Sequence, residues 1–577
     1  MKASETSLRN LLEGGKQFQI PLFQRPYSWK KKNWETLWED LMSLYNDDEK
    51  GFYFLGPIVT QAELGTADGI SRYIVIDGQQ RFTTLSILLA ALRNYLKKSD
   101  KQMAEQIHEF FLINKYQKNN DFYKVLPTQD DCDAYKTIID NKIPKGRNKE
   151  SQSGQIYEAY NFFDSKLKKP FVDEDILLDF AKFKNIILER LVLVNITSDN
   201  NDNPYLIFES LNNKGEELTQ ADLVRNYIFM KLPSEERDEV YNSEWLPLQE
   251  SFKSNMKQKE YADELTNAFW FYLRKDGEGV NEKAVYKSIK QRFDESAKRF
   301  EKPELGIKGE LHNLIKFTNY YLRLNFDDEE QEPKLKHWFQ RLKKLDFTTC
   351  HIFLLNIYYE YEEKRLSLQD FETILQYLES YFVRRWIVGI PTRALGTTFN
   401  NMYKQVKEKN SEDLVSGLRQ VLISFEKNQV FPDDNLFCHH IINEPLYNTK
   451  SSTANERVKF LLESIEQSLS KERVDTQPMS LEHIMPQKSP LRKEWQEMLG
   501  ANYSKIHKEL LHTLGNLTLT QYNSELSNKS FEEKLKILTT SNVTLNQYFR
   551  KVDVWNEEEI KNRAEYLAKI AIKVWPR

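Results

Sequence analysis

Glu482, His483, Asn516 and Asn523 are the residues of this chain whose types and order could carry out hydrolysis. The segment Leu481-Glu482-His483-Ile484-Met485-Pro486-Gln487 is followed, after a helix holding Trp495 and Leu499, by Leu514-Gly515-Asn516 and then Thr520-Gln521-Tyr522-Asn523. Cutting a phosphodiester needs a base to activate water, a hard cation to neutralise the phosphate, and a group that keeps the base oriented. His483 titrates near neutrality in its ordinary state and can take a proton from water. Glu482 and Asn523 offer the oxygen ligands that Mg²⁺ prefers, Asn528 competes for the second ligand position, and Asn516 would hold the His483 region, with Lys534 in support. Taken singly, a histidine in a strand is usually a satisfied core residue and an asparagine near a turn is usually turn chemistry.

A second constellation lies at Asp77-Gly78-Gln79-Gln80-Arg81, between the apolar run Tyr73–Ile76 and a stretch with Phe82, Leu85, Leu89 and Leu92 at helical spacing. Strand, turn and helix are expected there. The start of such a helix presents free backbone N–H groups and the positive end of its dipole. Gly78 lets backbone approach a ligand, and Arg81 supplies a fork of donors. The pattern suits a phosphate or nucleotide cradle. The alternative is that Asp77 caps the helix and Arg81 pairs with a carboxylate. Between Phe18 and Trp29, Pro21 and Pro26 with several aromatics disfavour helix and central strand, so an extended, packed segment is expected. Its Gln24 and Arg25 could face the same pocket as Arg81, and Tyr27 or Trp29 could stack on a base; an apolar strap with a solvated Arg25 is the plainer alternative.

These sites need a frame. Phe54–Thr60 reads as a strand paired with Tyr73–Ile76 through a turn at Gly65–Gly69, and Leu191–Ile196 as a further strand. Phe208–Asn226 holds an Asn-rich turn, Thr219 as an N-cap, and Ala221, Val224 and Ile228 as a buried helix face. From Lys231 to Ser470 helix follows helix, with Arg384-Arg385 read as interior, snorkelling arginines rather than a contact with DNA. His439-His440 has no further ligand at useful spacing, so no metal is assigned there.

With 577 residues, several domains are expected. Hydrophobic content of 40% with 29% charged residues describes a globular chain with a solvated surface. A net charge of −4 gives no global attraction for nucleic acid, so DNA contacts must come from local basic faces. Cys132, Cys350 and Cys438 form no paired spacing, which fits a reducing compartment. The amino-terminal stretch lacks an apolar signal core and no run approaches the ~20 apolar residues of a membrane span, so no membrane association and a cytoplasmic location are expected.

Together, Ile20–Trp29, Asp77–Leu85 and Phe208–Asn226 resemble the amino-terminal domain of GmrSD-type restriction enzymes, and Glu482–Asn523 resembles the HNH (ββα-metal) motif of the same family, with Asn523 where the last His of that name would stand. The resemblance implies an α+β, mainly helical chain: a ParB/sulfiredoxin-like NTP-binding sensor over 1–230, a helical linker or regulatory domain over 231–470, and an HNH nuclease over 471–577. It implies a type IV, modification-dependent endonuclease against double-stranded phage DNA, such as DNA with glucosylated hydroxymethylcytosine; relatives such as SspE respond to phosphorothioated DNA. The cofactors implied are Mg²⁺ or Mn²⁺ and a nucleoside triphosphate (GTP, ATP or UTP), and a homodimer is compatible with it. By the same analogy His483 and Asn516 are catalytic, Glu482 with Asn523 or Asn528 holds metal, and Gln79, Gln80 and Arg81 hold phosphates. Asp77 positions Mg²⁺ or water, Asn212 and Asn226 close the pocket with Gly78, Thr83, Gln24 and Arg25, and Pro21, Tyr27 and Trp29 couple it to DNA. Two other readings stay open: a nucleotide-binding sensor whose carboxy-terminal domain grips DNA without cutting, and a helical scaffold whose polar motifs are structural.

Overall fold

The computed structural model describes residues 2–46, 51–63, 69–143, 154–168, 178–198, 218–256, 260–470 and 474–577. The chain divides into two compact units, Met1–Thr266 with Tyr286–His312, and Asn267–Val285 with Asn313–Arg577. The fold is mainly helical, with a mixed sheet in the first unit and a two-stranded hairpin in the second.

The sheet of the first unit runs β1 (Lys2–Ser7), β6 (Leu191–Ser198), β3 (Tyr53–Ala62), β4 (Ser71–Asp77), β2 (Lys16–Gln19), β5 (Val125–Leu126). The expected pairing is present, with β3 antiparallel to β4 and Thr60 opposite Val75, while the expected turn lies, up to residue 68, outside the described residues. β3 lies parallel to β6, and β4 parallel to β2. β4 leads through Gly78 into the Gln79–Leu96 helix. Its spacing suggested one apolar face, but Ile87, Leu88, Ala90 and Ala91 are as buried as Leu85 and Leu89, so the helix is enclosed on all sides. A helix apolar all round is a core helix. It anchors the Asp77–Arg81 turn to a large hydrophobic cluster of the unit.

In the second unit, β7 (Ser480–His483) pairs antiparallel with β8 (Leu517–Thr520), placing Glu482 opposite Thr518 and His483 opposite Leu517. The short Asn523–Leu526 helix and the Phe531–Leu538 helix come next in the chain, the latter opened by a capping box between Ser530 and Glu533. The arginines of the Leu368–Val388 helix are interior as expected, but they do not snorkel: both guanidinium groups are buried and held by backbone carbonyls. Arg384 donates to the carbonyls of Trp575 (2.8 Å) and Pro432 (3.1 Å) and pairs with Asp434 (2.6 Å), and Arg385 donates to the carbonyls of Pro391 and Val430. No helix of the described residues is long and apolar enough to cross a membrane.

Candidate functional sites

At the end of β4 the helix starts on Gly78, which has φ +90° and gives no side-chain cap. Asp77 is therefore not the cap. The glycine is required twice over: its φ lies in the left-handed region, and a Cβ there would sit 3.0 Å from Pro57 O and Ile58 Cγ1. Arg81 folds back and donates from Nη1 to Pro57 O, against Gly56, rather than forming an ion pair with a carboxylate of the described residues. Gln80 is held at both ends of its amide, accepting from Ser28 N (2.8 Å) and donating to Pro26 O (3.2 Å). Gln24 donates to Ile76 O at 3.1 Å. Three side-chain bonds thus stitch the Pro21–Trp29 segment onto the β4–helix junction, as an extended segment packed there should be.

The structure gathers Arg25, Gln79, Gln80, Thr83 and Tyr27 around one recess, closed on its far side by Thr128 and Asp131. Its volume is about 10 Å³, room for roughly one water. Gln79 Oε1 is buried and has no partner among the described residues. Tyr27 does not offer a stacking face: it is buried, accepts from Trp34 Nε1 (2.8 Å), and lies 2.6 Å from Thr84 Oγ1, which itself donates to Gln80 O. Burial raises its phenol well above the usual range. Asn226, on the Gln220–Lys231 helix capped by Thr219, is buried with an unpartnered Oδ1. Beside it Arg225, to which no local sequence signal points, donates to Asp222 Oδ1 (2.8 Å) and Gln249 Oε1 (3.0 Å) and lines a recess with Gln24 and Pro26. Asn212 lies outside the described residues.

The second site is built on β7. His483 ends the strand and is almost fully buried. Asn516, in the turn before β8, secures the backbone just past β7: Oδ1 accepts from Met485 N (2.7 Å) and Trp555 Nε1 (3.1 Å), Nδ2 donates to Met485 O (3.1 Å) and Leu511 O (2.9 Å), and its carbonyl accepts from Ile484 N. Every polar atom of that side chain is used in holding backbone and indole.

Glu482 Oε1 lies 2.6 Å from Lys534 Nζ, which also donates to His483 O at 2.7 Å. Burial pushes the Glu482 carboxyl up and the Lys534 ammonium down, and the ion pair opposes both shifts. Asn523 donates from Nδ2 to Ser480 Oγ (2.7 Å) and Leu481 O (3.0 Å). Ser480 and Glu482 share a face of β7 by strand alternation, so Asn523 sits on the Glu482 side, and its amide orientation is set by two acceptors. What remains is Asn523 Oδ1, buried and without a partner among the described residues, and Asn528 Oδ1 is in the same state. A carboxylate and two unused amide oxygens are the hard donors that Mg²⁺ takes. Among the described residues no group of three His, Cys, Asp or Glu is placed to hold a metal.

His483 departs from the sequence expectation in its protonation. Burial first, then the charges of His512, Lys534 and His507, push its imidazole down to about 3. It is neutral at pH 7 rather than poised at neutrality.

Two stretches of the chain match known domains: residues 8–229 match the N-terminal domain of the GmrSD restriction endonuclease, and residues 431–570 match the C-terminal domain of GmrSD restriction endonucleases. The chain belongs to the GmrSD restriction endonuclease family. No curated protein matches it. As a GmrSD member it has the role of a type IV restriction endonuclease, with DNA as substrate. Within the GmrSD C-terminal match lie groups that sequence reasoning missed. His512 Nδ1 is 3.1 Å from His483 Nε2, and Tyr447 packs on both rings. Arg563 is fully buried, with Nη1 donating to the carbonyls of Gly515 (2.7 Å) and Leu517 (2.6 Å) on either side of Asn516. The pairing of Tyr447 or Arg563 with residues tens of positions away leaves no local pattern in the sequence.

Proposed function

We propose that the chain is a Mg²⁺- or Mn²⁺-dependent HNH endonuclease of modified phage DNA, controlled by a nucleoside triphosphate bound at a ParB/sulfiredoxin-like amino-terminal domain. The observation that supports it best is the Asn523 side chain, held by Ser480 Oγ and Leu481 O on the strand that carries Glu482 and His483, with a buried Oδ1 that has no partner among the described residues. Glu482 with Asn523, or Asn528 in its place, would hold the cation, which when bound neutralises charge on the phosphate and the leaving oxygen. His483 takes the proton of the attacking water. Asn516 fixes the Met485 backbone and thereby the loop that leaves His483.

At the other site the N–H groups after Gly78, which no side chain caps, and Arg25, Gln79, Gln80 and Thr83 around the recess would be the polar groups that meet the nucleotide. A recess of about 10 Å³ does not admit a triphosphate, so binding there would require the bonds from Gln80 to Ser28 and Pro26, and from Gln24 to Ile76 O, to rearrange. That links nucleotide occupancy to the conformation of a segment we assign to coupling with DNA. The division at about 230 and 470, a homodimer and a cytoplasmic location belong to the same reading.

A second reading is favoured by one contact. Lys534 already occupies Glu482, and a domain whose carboxylate stays paired would grip DNA without cutting it. Plasmid incubated with Mg²⁺ and each NTP, unmodified or glucosylated, separates the two. Wild-type cleavage lost in His483→Ala supports the nuclease. Binding without cleavage under every condition supports the sensor, and cleavage by His483→Ala at the wild-type rate sinks the assignment of the base.

A further inference from the structure

The nuclease reading uses one imidazole, but the end of the hairpin holds two. His512 lies just after the Tyr503–Leu510 helix, and its ring meets His483 with centroids 5.2 Å apart and planes at 79°. Tyr447 completes the cluster, stacked on His512 at 5.3 Å and edge-on to His483 at 4.7 Å. The backbone fixes this arrangement. Leu446 N and Tyr447 N both donate to His512 O, at 2.8 and 3.3 Å, and Pro445 bridges to Thr513.

Between His483 Nε2 and His512 Nδ1, 3.1 Å apart, a single proton is shared. Were His512 the donor, the lone pair of neutral His483 would be spent on that bond, and its Nδ1 would carry the ring hydrogen. Such a ring cannot take a proton from water. With His483 as donor, Nδ1 keeps the lone pair.

We propose that His512 is a positioning residue of the nuclease: its Nδ1 accepts the Nε2–H of His483 and holds His483 in the tautomer whose Nδ1 is the base. The inference rests on the nuclease reading. In the step, His483 Nδ1 takes a proton from water, and the water oxygen forms a bond to phosphorus. The bond from phosphorus to the leaving sugar oxygen breaks, with its electron pair going to that oxygen. His483 is then an imidazolium, and its bond to His512 becomes a charge-assisted one. His512 keeps its own proton on Nε2 throughout.

The test uses the full chain in three forms. His512→Phe keeps a ring to stack on Tyr447 and removes the acceptor, whereas His512→Asn brings an amide oxygen close to where Nδ1 stood. In ¹⁵N-histidine-labelled protein without DNA or metal, with the His483 signals assigned through His483→Gln, wild type and His512→Asn show His483 protonated on Nε2. His512→Phe shows a mixed or inverted tautomer. In plasmid cleavage kcat falls ~10–100-fold in His512→Phe with KM little changed, and His512→Asn recovers most of it. His483 protonated on Nδ1 in the wild type, an unchanged tautomer in His512→Phe, or equal losses in the Phe and Asn variants would overturn the proposal. If His483→Ala still cleaves at the wild-type rate, the assignment of His483 as the base fails, and the tautomer measurement still decides the hydrogen bond. If His512→Phe does not fold, the wild-type and His512→Asn spectra decide it.

Discussion

Truncating Asn516 to alanine strands the Met485 N–H and the Trp555 indole N–H in a buried setting, because its Oδ1 serves both. A buried donor left unmet costs about 1–3 kcal/mol, so Asn516→Ala is expected to lose several kcal/mol in urea denaturation together with cleavage. Asn516→Asp keeps the acceptor but loses both bonds from Nδ2, to Met485 O and Leu511 O, and is expected to fall between. Lys534 gives a second residue-scale prediction. It is fully buried and its ammonium meets Glu482 and the His483 carbonyl, so Lys534→Met leaves an unpaired buried carboxylate, at a cost of about 3–5 kcal/mol. The double variant Lys534→Met with Glu482→Gln is expected to recover much of that loss, and a double-mutant cycle measures the coupling. The types at positions 482, 483, 516 and 534 were readable in the sequence. That Lys534 pairs with the proposed metal ligand was not, because the pair spans β7 and a helix about fifty positions later.

At the scale of elements, two glycines decide whether each site assembles. Gly78 joins β4 to its core helix at φ +90°, so Gly78→Ala adds backbone strain to a contact with Pro57 O, a loss of about 2 kcal/mol or more. Nucleotide affinity is expected to fall with it, measured by calorimetry on the folded variant. Gly515 is tighter: a Cβ there would overlap Ile560 O, so Gly515→Ala is expected to push the Glu557–Val574 helix away from the turn that carries Asn516. Arg563 on that helix would then lose its hold on the Gly515 and Leu517 carbonyls. Proteolysis of the carboxy-terminal helix, raised in Gly515→Ala and unchanged in the control Gly309→Ala, where a Cβ meets open space, would report the displacement. Equal rates in wild type and Gly515→Ala would contradict it.

Across the whole second unit, acid stability depends on imidazoles kept neutral by burial. His351, fully buried at the start of its helix, is lowered to about 4, and His483 to about 3, burial being the first cause of each. Unfolding lets both bind protons at their ordinary value near 6.5. The unfolded state therefore binds more protons between about 6.5 and these lowered values, and stability falls as pH drops through that window. Urea midpoints are expected to be lower at about pH 5 than at about pH 7.5, with a shallower dependence in His351→Gln. Parallel slopes in the two proteins would exclude His351 as a source.

Local signals in the sequence determined the strand–glycine–helix unit at Tyr73–Leu92, the β3–β4 pairing, the Thr219 cap, the inward arginines at 384 and 385, and the order Glu-His, Asn, Asn of the second site. Each rests on neighbours a few residues apart, where periodicity, turn chemistry and capping act. Tertiary structure alone decided that the Gln79–Leu96 helix is enclosed all round, that Tyr27 is sealed in the core, that Glu482 is paired, that two amide oxygens are left over, and that His483 is pushed down and bonded to His512. Those properties depend on burial and on partners brought from distant segments, and a pKa or an unmet hydrogen bond exists only once the surrounding chain has excluded water.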